Sequence, residues 1–68
     1  MNDWVVVRAQ TMCVGDVSKI YGLIIGIYDD PNDKYFFDVE FLMHDGRLHR
    51  RYFHKGQQVY VMLREGES

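Results

Sequence analysis

The chain has little of what marks a disulfide-stapled, membrane-spanning or disordered polypeptide. Its 68 residues include one cysteine, Cys13, and one proline, Pro31. A lone cysteine excludes an internal disulfide and fits a reducing compartment. No basic start followed by an apolar stretch opens the sequence, so no secretory leader is expected. No apolar run approaches the roughly 20 residues of a membrane-spanning helix. Charge of one sign is also scarce: ten acidic residues face eight basic ones, for a formal net charge of −2. That balance argues against a generic polyanion binder. The expectation is a soluble cytoplasmic protein with no membrane partner.

What is present favours a folded domain. Hydrophobic residues make up 47% of the chain and aromatic ones 15%, including four Phe and five Tyr, far above disordered composition. A chain of this length buries only about 60% of its unfolded surface, so one marginally stable core is expected. We assign one domain to residues 1–64 and a polar tail to 65–68, which is expected to fray.

β-forming runs alternate with turn signals along the chain. Trp4 to Val7 reads as a first strand, and Ala9 to Lys19 as a longer, hairpin-like loop. From Ile20 to Tyr28 the apolar residues are nearly continuous, which suggests a strand buried on both faces. Gly26 within it points to a bulge or a close backbone approach. Asp29-Asp30-Pro31-Asn32-Asp33 is a turn, with Pro31 fixing φ and Asx side chains bonding the local backbone. Tyr35, Phe37, Val39 and Phe41 then share one parity and are expected to face the core. His54 to Gln58 reads as a turn, as a single 3₁₀ turn, before a last strand whose inward set is Val59, Val61 and Leu63.

Asp45-Gly46 matches the two-residue hairpin turn. That turn sets Val39 opposite Tyr52, Glu40 opposite Arg51, and Phe41 opposite Arg50. It also carries the one conflict in the pattern, because Arg50 then shares the core face with Leu48 and Tyr52. An unpaired arginine in a core is expensive. A strand bulge or an open barrel mouth would relieve it, and that is the expected arrangement. A hairpin one residue longer would also do so, by turning every side chain over.

The order of strands, loop, proline turn, tight turn and short 3₁₀ turn predicts an all-β, five-stranded small barrel. The residues Gly22-Leu23-Ile24-Ile25-Gly26-Ile27, then Tyr35, Phe37-Asp38-Val39-Glu40-Phe41, then Asp45-Gly46, resemble the SH3-like superfamily, including Tudor and KOW-type modules. The resemblance covers about forty residues and implies a fold whose members bind peptides, modified side chains or nucleic acid. Proline-peptide-binding members carry an Ala-Leu-Tyr-Asp-Tyr-like segment that this chain lacks. Met43 and His44 stand where a Tudor-like cage would place aromatics. An OB-fold or another five-stranded meander satisfies the same alternation.

Two groups of residues suggest a contact surface. Arg47 to Lys55 holds four of the eight Lys and Arg, with His49, Tyr52 and Phe53 interleaved, and suits an acidic partner or a phosphate backbone. Much of it also fits a solvated strand face, with Glu40 across from Arg51. Phe36, Leu42 and Phe53 share the outward parity of the hairpin, and an exposed apolar trio commonly marks an interface. The leading expectation is a non-catalytic adaptor, inhibitor or regulatory subunit binding another protein through the Leu42–Phe53 hairpin face. Its contacts would be Phe36, Leu42, Arg47, His49, Arg50, Arg51, Phe53 and Lys55. Nucleic-acid binding through the Arg47–Lys55 stripe is the alternative, and an oligomeric small-barrel enzyme the third. No catalytic residue or cofactor is expected. His44, His49, His54 and Cys13 lack zinc-like spacing, and Asp29, Asp30 and Asp33 lack a calcium-loop pattern.

Overall fold

Short β-branched and aromatic runs punctuated by Gly, Pro and Asp leave little scope for helix, and the computed structural model describes residues 3–63 accordingly. The expected polar tail lies outside the described residues. The elements are β1 (Trp4–Arg8), a 3₁₀ turn (Ala9–Thr11), β2 (Val17–Ser18), β3 (Gly22–Asp29), β4 (Phe36–Leu42), β5 (Leu48–His54) and β6 (Gln58–Met62). All pairings are antiparallel within one sheet of order β1-β6-β2-β3-β4-β5. Among the described residues no helix is long and apolar enough to cross a membrane.

The chain is all-β, as expected, but the expected barrel needs three corrections. Among the described residues there are six strands, not five, and the terminal strands β1 and β5 do not pair, so the sheet stays open. The 3₁₀ turn follows β1, whereas His54 to Gln57 forms a simple turn in which Gln57 N–H donates to the His54 carbonyl at 2.9 Å. The extra strand comes from the Ala9–Lys19 loop, where hydrogen bonds rather than apolar periodicity organise the chain. Asp16 N–H donates to the Cys13 carbonyl (3.0 Å), and its carboxylate accepts Cys13 N–H (2.9 Å). Gly15 supplies the positive φ, 101°, that the third position of such a turn requires. Ile24 N–H then reaches the Asp16 carbonyl at 2.8 Å, laying the two-residue β2 beside β3.

The β4–β5 register is also corrected. Phe41 faces His49, Glu40 faces Arg50, Val39 faces Arg51, Asp38 faces Tyr52, and Phe37 faces Phe53. Met43 N–H donates to the Arg47 carbonyl and Gly46 N–H to the Met43 carbonyl, both at 2.9 Å. The loop is therefore His44-Asp45-Gly46, a turn closed by a left-handed glycine at φ 87°. A two-residue turn would need positive φ at Asp45 as well, and no described non-glycine residue adopts it. The added residue inverts β5: Phe53 points in, and Leu48, Arg50 and Tyr52 point out. The conflict over Arg50 is resolved by turn length rather than by a bulge or a barrel mouth.

The core comprises Ala9, Met12, Ile24, Phe37, Val39, Phe41, Phe53, Val59 and Val61, with Val5, Val7, Tyr21 and Ile27 packed against it. Tyr35 and Leu63, expected inside, are exposed. β3 buries one face only, since Ile25 and Tyr28 lie open, as an antiparallel sheet with one solvated side requires. The bulge expected near Gly26 exists, with the register shifting between Ile24 and Gly26.

The register makes a direct prediction. Phe53 is 2% exposed and Phe36 is 37% exposed. Phe53→Ala is expected to cost about 3–5 kcal/mol, comparable to the whole stability of so small a domain, and Phe36→Ala about 1 kcal/mol. Urea denaturation of both variants checks this, and the reverse ranking would restore the two-residue turn.

Candidate protein-binding face

The outward residues of β3, β4 and β5 form cross-strand rows, because antiparallel partners place their side chains on the same side. Leu23, Leu42 and Leu48 make one row. Gly26, Glu40 and Arg50 make the next, then Tyr28, Asp38 and Tyr52, and finally Phe36 and His54. Leu48 is 63% exposed and Tyr52 55%. Tyr28 is 45% exposed, and Phe36 and Leu42 37% each.

The centre of the face is built from Gly26 outward. A Cβ at Gly26 would stand 2.5 Å from the Tyr28 hydroxyl, so only glycine lets the Tyr28 ring lie flat along its own strand. There the Tyr28 hydroxyl donates to Glu40 Oε1 at 3.0 Å. The Arg50 guanidinium carbon sits 4.4 Å from the ring centroid, a cation–π contact worth about 0.5–1 kcal/mol at an exposed site. Two rings and an imidazole order the far end. Phe36 and Tyr52 stack at 5.4 Å with planes 6° apart, and His54 meets Phe36 edge-on at 5.1 Å.

The proline turn anchors that end. Asp30 Oδ1 accepts Asn32 N–H (2.9 Å), and Asp33 Oδ1 accepts the N–H groups of Tyr35 (3.0 Å) and Phe36 (3.1 Å). The other Asp33 oxygen accepts the Tyr52 hydroxyl at 2.8 Å. This hydrogen bond, followed by the Tyr35 N–H, holds the Asp33 carboxyl below its ordinary value of 3.8. The same bond, with burial second, raises the Tyr52 phenol above 10.0.

The residues expected to form the contact surface are partly separated. Phe36, Leu42 and Arg50 do share the outer face. Phe53 does not, being in the core, so the expected Phe36–Leu42–Phe53 trio is replaced by Phe36, Leu42 and Leu48. His49 and Arg51 occupy the inner side, flanking Tyr21: His49 stacks on its ring at 6.4 Å, and the Arg51 guanidinium lies 5.2 Å from it. Arg47 is drawn into the turn by Asp45, with Nε to Oδ2 at 3.1 Å. Lys55 approaches Asp29 at 3.9 Å. The Arg47–Lys55 run is thus not one continuous basic stripe. Sequence reasoning assigned Leu48 and Tyr52 to the core. The misfit of Arg50 there was the available signal for the outward set.

His44 lies in the turn, His49 inside and His54 outside, and no group of three metal-ligating side chains converges among the described residues. On the other side of the sheet, Gln10, Met12, Ile27, Asp29, Phe37 and Lys55 line a hollow of ≈ 190 Å³, smaller than the roughly 300–1,000 Å³ of small-molecule sites. No family model, curated protein or solved structure matches the chain.

Two predictions test this geometry. In Gly26→Ala the added methyl displaces the Tyr28 ring, so the ring-current shift of the Arg50 side-chain protons in wild type is expected to vanish, as in Tyr28→Leu. The fold is expected to survive, because only the end of one flexible side chain must move. The Tyr52–Asp33 tie is expected to fail at both pH extremes. Asp33 titrates lower in the fold than when unfolded, so its contribution is full above 3.8 and is lost as pH falls through the folded value. Tyr52 titrates higher in the fold, so its contribution is full below 10.0 and is lost as pH rises through the folded value. NMR pH titration in wild type and Asp33→Asn reads both, and an unshifted Tyr52 in wild type would refute the tie.

Proposed function

We propose that this chain is a non-catalytic protein-binding module, a small β-sheet domain of the SH3-like kind, acting through the outer face of β3, β4 and β5. The observation that carries the reading is that face itself: an exposed leucine row beside ordered aromatic rings, with Arg50 held upright on Tyr28. Tyr and Arg are over-represented among the residues that dominate protein interfaces. Side chains already fixed in place lose less entropy on binding. The partner that fits is a protein surface offering apolar side chains to Leu42, Leu48 and Phe36 and a carboxylate to Arg50, with Arg47 at the margin. The exposed free Cys13 suits a reducing, cytoplasmic setting.

Nucleic acid gains no comparable support, since the basic residues that would track a phosphate backbone are dispersed over two sides and the turn. The two readings differ in salt dependence, because phosphate neutralisation releases counterions and an apolar contact does not.

A peptide library selected on the immobilised protein, followed by ¹⁵N NMR titration, tests the proposal. Selected peptides are expected to combine apolar residues with Asp or Glu, and to shift the amides of Leu42 and of Leu48 to Tyr52. Arg50→Glu and Leu48→Asp are each expected to weaken binding about thirtyfold. Shifts confined to other surfaces would overturn the reading. So would shifts with mixed oligonucleotides at about 50 mM salt that reverse at about 200 mM.

A further inference from the structure

Among the described residues the sheet has two open edges, and they differ in character. β5 carries Arg50 and Arg51 at its middle, the kind of charge that discourages strand pairing. Antiparallel self-pairing centred there would set one of these arginines against its own copy. β1 reads Trp-Val-Val-Val-Arg, with no charge, proline or bulge in its interior. Among the described residues no strand pairs with its free edge.

The hydrogen-bond phase of that edge follows from its neighbour. Leu63 N–H donates to the Asp3 carbonyl (2.8 Å) and Ala9 N–H to the Gln57 carbonyl (2.7 Å). Backbone groups alternate in direction along an antiparallel strand, so those of residues 3, 5, 7 and 9 face β6. Those of Trp4, Val6 and Arg8 face the open edge, where the Arg8 carbonyl also accepts the Thr11 hydroxyl at 2.7 Å and keeps its second lone pair for a further donor. On β6 the same alternation appears from the other side, where the Tyr60 carbonyl turns away from β1 to accept Lys19 N–H at 3.0 Å.

We propose that this edge pairs with β1 of a second copy, about a two-fold axis beside Val6, joining two six-stranded sheets into a homodimer. The register is constrained, because only outward-directed residues can exchange hydrogen bonds. Val6 then meets Val6 of the second copy, and Trp4 meets Arg8 in both directions, two bonds to each pair. The strand is self-complementary in that register. Each Arg8 guanidinium faces an indole, a cation–π pairing formed twice, and valine meets valine at the centre. No like charges face each other, which an isologous interface needs. β1 contributes no residue to the outer face of β3, β4 and β5, so the dimer presents the proposed binding face twice. This inference stands independently of that reading.

A five-residue edge buries less than the roughly 1,600 Å² of a standard interface, so reversible, concentration-dependent association is expected. Light scattering coupled to size exclusion is expected to give twice the 8.1 kDa monomer mass at about 200 µM, falling to the monomer near 1 µM. Val6→Lys places two ammonium groups together at the axis, and Val6→Pro removes an N–H that β6 does not use. Both are expected to remain monomeric throughout, with unchanged circular dichroism. Val6→Cys in a Cys13→Ser background is expected to give a disulfide-linked dimer on mild oxidation, since the about 5.5 Å Cα separation of a hydrogen-bonded pair falls in the disulfide range. Should the lysine or proline variant unfold, this cross-link decides the matter. A wild type that stays monomeric at about 200 µM, or a dimer that survives both Val6 substitutions, overturns the proposal.

Discussion

Gly46, at φ 87°, lets the β4–β5 hairpin close around three residues, and the parity of every side chain from Leu48 to His54 follows from that closure. With it, Phe53 enters the core against Phe41, at 6.0 Å and nearly edge-on, and Arg50 leaves for the surface. Without it the same strand would bury an arginine and expose a phenylalanine. A strand has a side-chain period of two, so the choice is binary. One backbone angle therefore determines both what holds the domain together and what it presents.

Tyr21 completes the inner side of that arrangement. It sits in the loop between β2 and β3, where its N–H donates to the Ser18 hydroxyl at 3.2 Å. Its ring meets Phe41 at 5.1 Å and Phe53 at 5.7 Å, while its margins take His49 and Arg51. An edge strand can carry two basic side chains on its inner face because an aromatic ring intervenes and water remains within reach. β5 thus keeps its charges without opening the core, and those charges protect the edge from indiscriminate pairing.

Much of this was legible in the residues. The strands β1, β3, β4, β5 and β6 follow β-branched and aromatic runs. The Asp-Pro-Asn-Asp turn behaves as Asx chemistry dictates, and glycine at position 26 announced the bulge and close approach beside it. What escaped was set by interactions that periodicity does not encode. β2 exists because Asp16 folds back on Cys13 and offers its carbonyl to Ile24. The hairpin length depends on whether Asp45 accepts a left-handed conformation, and Asp-Gly is compatible with either turn. The outer face was anticipated at Phe36 and Leu42 but missed at Leu48 and Tyr52, a direct result of that one-residue difference. Arg50 on a supposed core face was the sequence's own objection to the shorter turn.

The sheet order also has a kinetic side. β2 to β5 are consecutive neighbours joined by short loops, whereas β1 finds β6 across roughly 50 residues of chain. Closing so long a loop carries an entropic cost of about 3–4 kcal/mol, against about 1 for a three-residue hairpin. Local contacts form sooner than distant ones, so the meander leading to β5 is placed to assemble before β1 docks. β1 is accordingly expected to dock last and to detach first, and native-state hydrogen exchange at Val5 and Val7 would register that departure.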